Sequence, residues 1–235
     1  MTPASGATVV VFARRPVPGE AKTRIATVLG VEATHRLYQA MVRDTLCNVA
    51  ASGLPVLLVH TPGPWRDASV PTTWQRGDSF AARFASALAA AQGPTVLVGS
   101  DTPHLGPDIL RRAADAARAG HVVVPSRRGG FSLYAAAKPW TDPVLWKRVF
   151  AEKDEIRALR ALGAEVLEPA VPDLDEIEDL WWLRDTVPMR AAPETQTMLR
   201  GSGGRLDDAV AGPPPAQRSV DAAPSSGASG GGDGR

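Results

Sequence analysis

Thr8-Val-Val-Val-Phe-Ala13 is an unbroken β-branched and apolar stretch. A strand wetted on one face alternates apolar with polar side chains. One with no polar break is covered on both faces, as in a mainly parallel sheet flanked by helices. Leu54 to His60, Thr95 to Gly99, His121 to Pro125 and Phe131 to Ala137 read as further strands, with a short one from Glu165 to Glu168. Helical patterns separate them. The longest runs from about Val31 to Ala51, with Leu37, Met41, Thr45 and Val49 on one face and Gly53 as a stop. Others run from Ser79 to Ala91, Pro107 to Ala119, Asp142 to Phe150, Asp154 to Leu162 and Ile177 to Arg184. Such alternation predicts an α/β fold.

From about Pro188 the character changes. Pro213-Pro-Pro215 and the Gly/Ser-rich ending bury too little apolar surface to offset chain entropy. The expected division is one folded α/β domain over 1–190 and a disordered tail over 191–235. A net charge of +1 gives no electrostatic case for nucleic acid or a membrane surface as partner. The apolar run near the start is too short to span a bilayer or serve as a signal segment, so a cytoplasmic protein is expected. The single cysteine, Cys47, excludes a disulfide within the chain and reads as a small buried hydrophobe.

Two loops leave the C-terminal ends of predicted strands, where open α/β sheets bind ligands. The first, Ala13 to Arg24, carries Arg14, Arg15, Lys22 and Arg24 with Gly19 and two prolines. Gly19 allows close backbone approach, and Lys22 and Arg24 suit phosphate oxygens. The spacing is not that of a Walker loop. The plainer reading is a solvated basic loop.

The second loop, Gly99-Ser-Asp-Thr-Pro103, presents Asp101 at a strand tip. One such carboxylate suits Mg2+ or Mn2+ shared with substrate phosphates; the plainer role is a helix cap. His104 reads as a rim residue. Near the C-terminus, Asp173 and Asp175 precede the last helix. Asp175 fits an N-cap with Glu178 closing a capping box, which leaves Asp173 as the better candidate for a metal ligand or catalytic acid. Of Trp181 and Trp182, one ring is expected in the core and the other at a cleft. Arg83, on an otherwise apolar helix, calls for a carboxylate partner, structural or at the site rim.

In order, the chain shows V-F-A-R-R-P-V-P-G-E-A-K-T-R, Q-x-G-D-x-F-x-x-R-F, G-S-D-T-P-H-L, G-G-F and D-L-D-E-I-E-D-L. This set resembles a family of small GT-A-like proteins described as presumed glycosyltransferases, which includes the arsenosugar-biosynthesis glycosyltransferases. The resemblance runs from about Thr8 to Leu183. It implies a Rossmann-like GT-A fold of the nucleotide-diphospho-sugar transferase superfamily, with nucleotidyltransferases as relatives. By the same resemblance, Lys22 and Arg24 meet nucleotide phosphates, Ala13 and Arg14 line the base-side loop, and Asp101 ligates the metal. Asp173 and Asp175 complete the metal or acceptor site. Where that family has an acidic E-D-G-G-Y pattern, this chain has Arg127-Arg128-Gly129-Gly130-Phe131. Either Arg127 and Arg128 neutralise a phosphate or an acidic acceptor, or the ancestral activity is lost.

Three functions follow as expectations. The first is transfer of a sugar from a nucleotide-sugar to a small acceptor, with Lys22, Asp101 and Asp173 as the catalytic group. The second is nucleotidyl transfer from an NTP to a phosphorylated or acidic acceptor, which the arginine pair favours slightly. The third is a degenerate domain that binds without catalysis.

Overall fold

The computed structural model describes residues 6–65, 68–127 and 129–200. Seven strands form one sheet in the order β3-β2-β1-β4-β6-β5-β7. They are β1 (Thr8–Ala13), β2 (Val56–His60), β3 (Thr72–Trp74), β4 (Thr95–Gly99), β5 (His121–Pro125), β6 (Phe131–Ala136) and β7 (Glu165–Val166). Only β6 runs against its neighbours, pairing antiparallel with both β4 and β5; the other pairings are parallel.

The unbroken apolar character of β1 has the cause expected of it. Val9 and Val11 point to one face, where they meet Val96, Val98, Leu110 and Ala113. Val10 points to the other, against Leu88, Leu97, Tyr134 and Trp146. The first face is covered by α2 (Val31–Ser52) and α4 (Pro107–Ala116). The second is covered by α3 (Phe80–Ala90), α5 (Pro143–Val149) and α6 (Glu155–Ala161). Leu37, Met41, Thr45 and Val49 are all buried on the inner face of α2, and Gly53 closes that helix in the left-handed region at φ 73°. Each such fully buried aliphatic side chain contributes about 1.5–3 kcal/mol, so truncating Leu37 to Ala costs about 2–5 kcal/mol.

A third core cluster joins α1 (Thr23–Leu29), α2, α7 (Ile177–Thr186) and α8 (Pro193–Arg200) through Ile25, Leu37, Met41, Leu180, Leu183 and Leu199. It corrects three expectations. The basic loop after β1 is shorter than the sequence suggested, because α1 begins at Thr23 and buries Ile25 and Leu29. Residues 191–200 do not belong to a tail. Asp44 of α2, 1 % exposed, accepts the amides of Glu194 and Thr195 at 3.1 and 2.7 Å and so caps α8. Buried Gln196 donates to the carbonyls of Leu183 and Val187 at the end of α7. This docking rests on buried polar groups, which hydrophobic periodicity does not register. The remainder of the expected tail, 201–235, lies outside the described residues. The third correction is Cys47, which is exposed on the outer side of α2.

Connectivity sets the position of the site. From β1 the chain crosses the first face through α2 to reach β2, and from β3 it crosses the opposite face through α3 to reach β4. Strands β1 and β4 are neighbours, and the connections leaving their C-terminal ends run in opposite directions along the sheet, to β2 and to β5, which leaves a crevice there. No described helix is long and apolar enough to cross a membrane.

Candidate functional site

A cleft of about 960 Å³ opens at that crevice. Its centre is Lys22, which holds left-handed backbone geometry at φ 52° immediately before α1. That conformation costs a non-glycine residue about 1–3 kcal/mol and persists only where its surroundings enforce it. Here it turns the side chain inward. The Lys22 Nζ donates to Asp175 Oδ1 at 2.6 Å and to Asp101 Oδ2 at 3.4 Å. The lysine side chain is 9 % exposed, while the two carboxylates remain more than a third exposed. Burial on its own would lower the Lys22 pKa, but the Asp101 and Asp175 carboxylates outweigh it and hold the ammonium above its ordinary value.

Each partner is fixed by the local chain. Asp101 folds back over Gly99, where an added Cβ would lie 2.2 Å from its Oδ1. The Leu174 amide donates to the Asp101 carbonyl at 2.9 Å, tying the loop after β4 to the segment that carries Asp173 and Asp175. The expected capping box at Asp175 is shifted by one residue. Glu176 is the N-cap, and Asp179 accepts the amides of Glu176 and Asp175 at 2.8 and 2.9 Å. The shift leaves the Asp175 carboxylate to Lys22.

Tyr38 of α2 braces the floor. Its hydroxyl accepts the Arg14 amide at 3.0 Å, donates to the Arg14 carbonyl at 2.9 Å and lies 2.9 Å from Ser100 Oγ. Burial pushes this phenol's pKa up, which keeps it neutral. Gln75, after β3, donates to the Ala13 carbonyl at 2.8 Å from the other side. The loops of β1 and β4 are thereby pinned to a helix and to the sheet edge.

The side of the cleft nearer β6 carries two more acids. Asp173 accepts from Ser126 Oγ; burial raises its pKa despite that bond, and the nearby charges of Asp101 and Asp175 raise it further. Glu155, at the start of α6, is pushed up to about 7, first by burial and then by Asp173. Sequence reasoning missed Glu155 because an acid in a first helical turn reads as a dipole partner. It also missed Tyr38, which lies one position from Leu37 on what looks like a core face.

The cleft brings together Ala13, Arg14, Lys22, Arg24, Asp101, Asp173 and Asp175. Arg24 is largely exposed and pairs with Glu176 at 3.1 Å. Gly19 does not line the cleft; it holds a turn at φ 81°. Arg127 is also absent from the lining and sits 4.2 Å over the ring of Trp182. Arg128 lies outside the described residues. His104 is not a rim residue. It packs edge-on to Trp182, and burial followed by the Arg127 charge lowers its pKa to about 4. Neither Trp181 nor Trp182 faces the cleft. Arg83 does, and no carboxylate pairs with it among the described residues.

As a donor set, the described residues contain no group of three His, Cys, Asp or Glu side chains arranged to hold a metal ion. Five acids and four cations line the cleft, with Asp101 and Asp175 on the buried Lys22 ammonium and Asp173 close to both. The neighbouring Asp101 and Asp173 fit a hard divalent cation bound through one or two carboxylates and completed by ligand oxygens, rather than a closed protein site.

The profile of a family described as "Uncharacterized protein conserved in bacteria (DUF2064)" matches residues 36–151. No curated protein matches the chain. Among solved structures, a protein from Desulfovibrio desulfuricans G20, provisionally described as a nucleotide-diphospho-sugar transferase, superposes with a TM-score of 0.75 at 23 % identity, covering 88 % of this chain and 97 % of that one. A cytidylyltransferase from Leptospira borgpetersenii gives 0.47 at 12 % identity over 88 % and 92 % of the two chains. A manganese complex of Rv0371C from Mycobacterium tuberculosis gives 0.47 at 16 % identity over 77 % and 100 %. The chain has the nucleotide-diphospho-sugar transferase fold.

Proposed function

We propose that the chain transfers a sugar from a nucleotide-diphosphate donor to a small acceptor. The observation that carries this reading is the Lys22 ammonium fixed between Asp101 and Asp175 in the crevice between β1 and β4, with the Asp173 carboxylate close to both aspartates. Such a centre suits a pyrophosphate that arrives with a divalent cation. In the reaction, an acceptor hydroxyl oxygen bonds to the anomeric carbon, the bond from that carbon to the diphosphate breaks, and the nucleoside diphosphate leaves with the bonding electrons. The hydroxyl proton passes to a carboxylate or to water.

Lys22 and Arg24 neutralise the charge that develops on the leaving diphosphate. Asp101 and Asp173 would hold Mg2+ or Mn2+, which adds Lewis-acid stabilisation of the same charge. Ala13 and Arg14, braced by Tyr38 and Gln75, form the nucleoside side. Lys22 thus acts from a preset position, because its two aspartates fix the ammonium before any ligand binds.

Nucleotidyl transfer from an NTP uses the same cations. Arg127 sits over Trp182 and does not line the cleft, which weakens the support of an arginine pair for this second reading. A thermal-shift panel of NDPs, NTPs and NDP-sugars, with and without Mg2+ or Mn2+, tests the reading. A ligand at 100 times its Kd stabilises by about 2.7 kcal/mol. A metal-dependent shift with one nucleotide-sugar, and release of its nucleoside diphosphate, is the expected result. Release of pyrophosphate from an NTP would assign nucleotidyl transfer instead, and a flat panel would leave a domain without catalysis.

A further inference from the structure

All five phenylalanines of the chain line the same cleft. They come from four places in the sequence: Phe12 is the penultimate residue of β1, Phe80 and Phe84 lie on α3, Phe131 opens β6, and Phe150 follows α5. Their rings touch in series. Phe12 and Phe80 centroids are 5.9 Å apart, Phe80 and Phe150 4.9 Å, and Phe84 and Phe131 5.8 Å. Packing alone does not account for this wall, because Phe80 is 51 % exposed while Phe84 beside it is 3 % exposed. Apolar surface left wet inside a concave site is unfavourable until a ligand covers it.

The wall lies toward β6 and α5, whereas Thr61, Pro62 and Gln75 line the cleft beside β2 and β3. A diphosphate at Lys22 and Asp101 would separate the two arms. Beside the rings, on α3 between Phe80 and Phe84, Arg83 faces the cleft with no carboxylate partner among the described residues. A sugar can lay its C–H face on a phenyl ring, but its hydroxyls need hydrogen-bond partners that these five rings do not supply. A flat apolar ring gains a great deal, and an anionic substituent on it answers Arg83.

We infer that the acceptor is an aryl or similarly apolar hydroxy acid, its ring seated on the phenylalanine wall and its anionic group on Arg83. This deepens the glycosyl-transfer reading and rests on it for the place of the diphosphate. Three probes test the idea by calorimetry on the full chain: 4-hydroxyphenylacetate, its neutral analogue tyrosol, and glycerol 3-phosphate. UDP, CDP, GDP and ADP with Mg2+ serve as separate titrants. 4-Hydroxyphenylacetate is expected to bind most tightly of the three. Phe80→Ala, at a half-exposed position that a fold tolerates, should weaken both aryl probes about tenfold. Arg83→Gln should weaken 4-hydroxyphenylacetate by about tenfold and tyrosol by less than twofold.

Preferential binding of glycerol 3-phosphate would overturn the inference. So would a Phe80→Ala loss as large for a nucleoside diphosphate as for the aryl acid, since the wall would then seat the nucleobase. Nucleotide binding without aryl binding refutes the inference alone. Aryl binding that follows this pattern, with every nucleotide silent, refutes the glycosyl-transfer reading and keeps the aryl-acid site.

Discussion

Lys22 and Asp175 stand 153 residues apart in the chain and meet at 2.6 Å. Removing the ammonium leaves Asp101, Asp173 and Asp175 facing one another with no buried counter-charge. Lys22→Met is therefore expected to lose stability as well as ligand affinity. A fully buried pair broken on one side costs about 3–5 kcal/mol. Both carboxylates here are more than a third exposed, so solvent screening reduces this to about 1–2 kcal/mol. Urea unfolding of Lys22→Met, Asp175→Asn and the double variant should give a favourable coupling energy. Additive losses would mean that the contact is incidental.

Glu155 makes stability depend on pH. Its folded pKa of about 7 lies above an ordinary value of 4.5, so between these values the native state holds a proton that the unfolded chain has released. Stability then falls as pH rises through that window and levels off above it. Glu155→Gln removes the penalty. Thermal melts should show the variant more stable than the parent at pH 8 and indistinguishable from it at pH 4. Equal offsets at both values would show that the carboxyl is ordinary.

Gly99 is predicted to be replaceable only at the expense of Asp101. An alanine Cβ at 2.2 Å from Asp101 Oδ1 forces that carboxylate aside. The position has ordinary backbone angles, so strand β4 should tolerate the substitution. The expected phenotype of Gly99→Ala is that of Asp101→Ala in nucleotide binding: a melting shift with Mg2+-nucleotide reduced to the shift with nucleotide alone. A metal-dependent shift equal to that of the parent would place Asp101 outside the binding chemistry.

Asp44→Ala should undock the C-terminal helix. Two amide hydrogen bonds to a carboxylate that is 1 % exposed are lost, and the Glu194 and Thr195 amides are left without partners. A lost cap costs about 0.5–2 kcal/mol, and burial puts this one at the upper end. Hydrogen exchange should show amides of residues 193–200 losing protection first, with Asp44→Asn intermediate. Loss spread evenly over the domain would argue against a local role.

Much of the fold was legible because parallel strands covered on both faces leave unbroken apolar runs, as in β1, β4 and β5. β3 was not, since its three residues at the sheet edge are mostly exposed and carry no period. α8 escaped because its attachment depends on Asp44 and Gln196, residues that read as surface. Within the site, loop residues at strand tips were visible by position: Lys22, Asp101 and Asp173 all reach the cleft. What the sequence could not show is that Lys22 is held between two aspartates. Nor could it show that an indole receives Arg127. Partnerships between residues distant in the chain leave no local trace.

The Leu174 amide on the Asp101 carbonyl, and the Asp175 carboxylate on Lys22, have a consequence for synthesis. A chain leaving the ribosome from its N-terminus exposes the basic loop and most of the strands early, yet Lys22 has only half of its counter-charge until residue 175 emerges. The central ion cluster is therefore among the last parts to form. A fragment ending before that point could assemble much of the sheet and still lack a finished site, so ligand competence would report that the segment through residue 175 had been made and had docked.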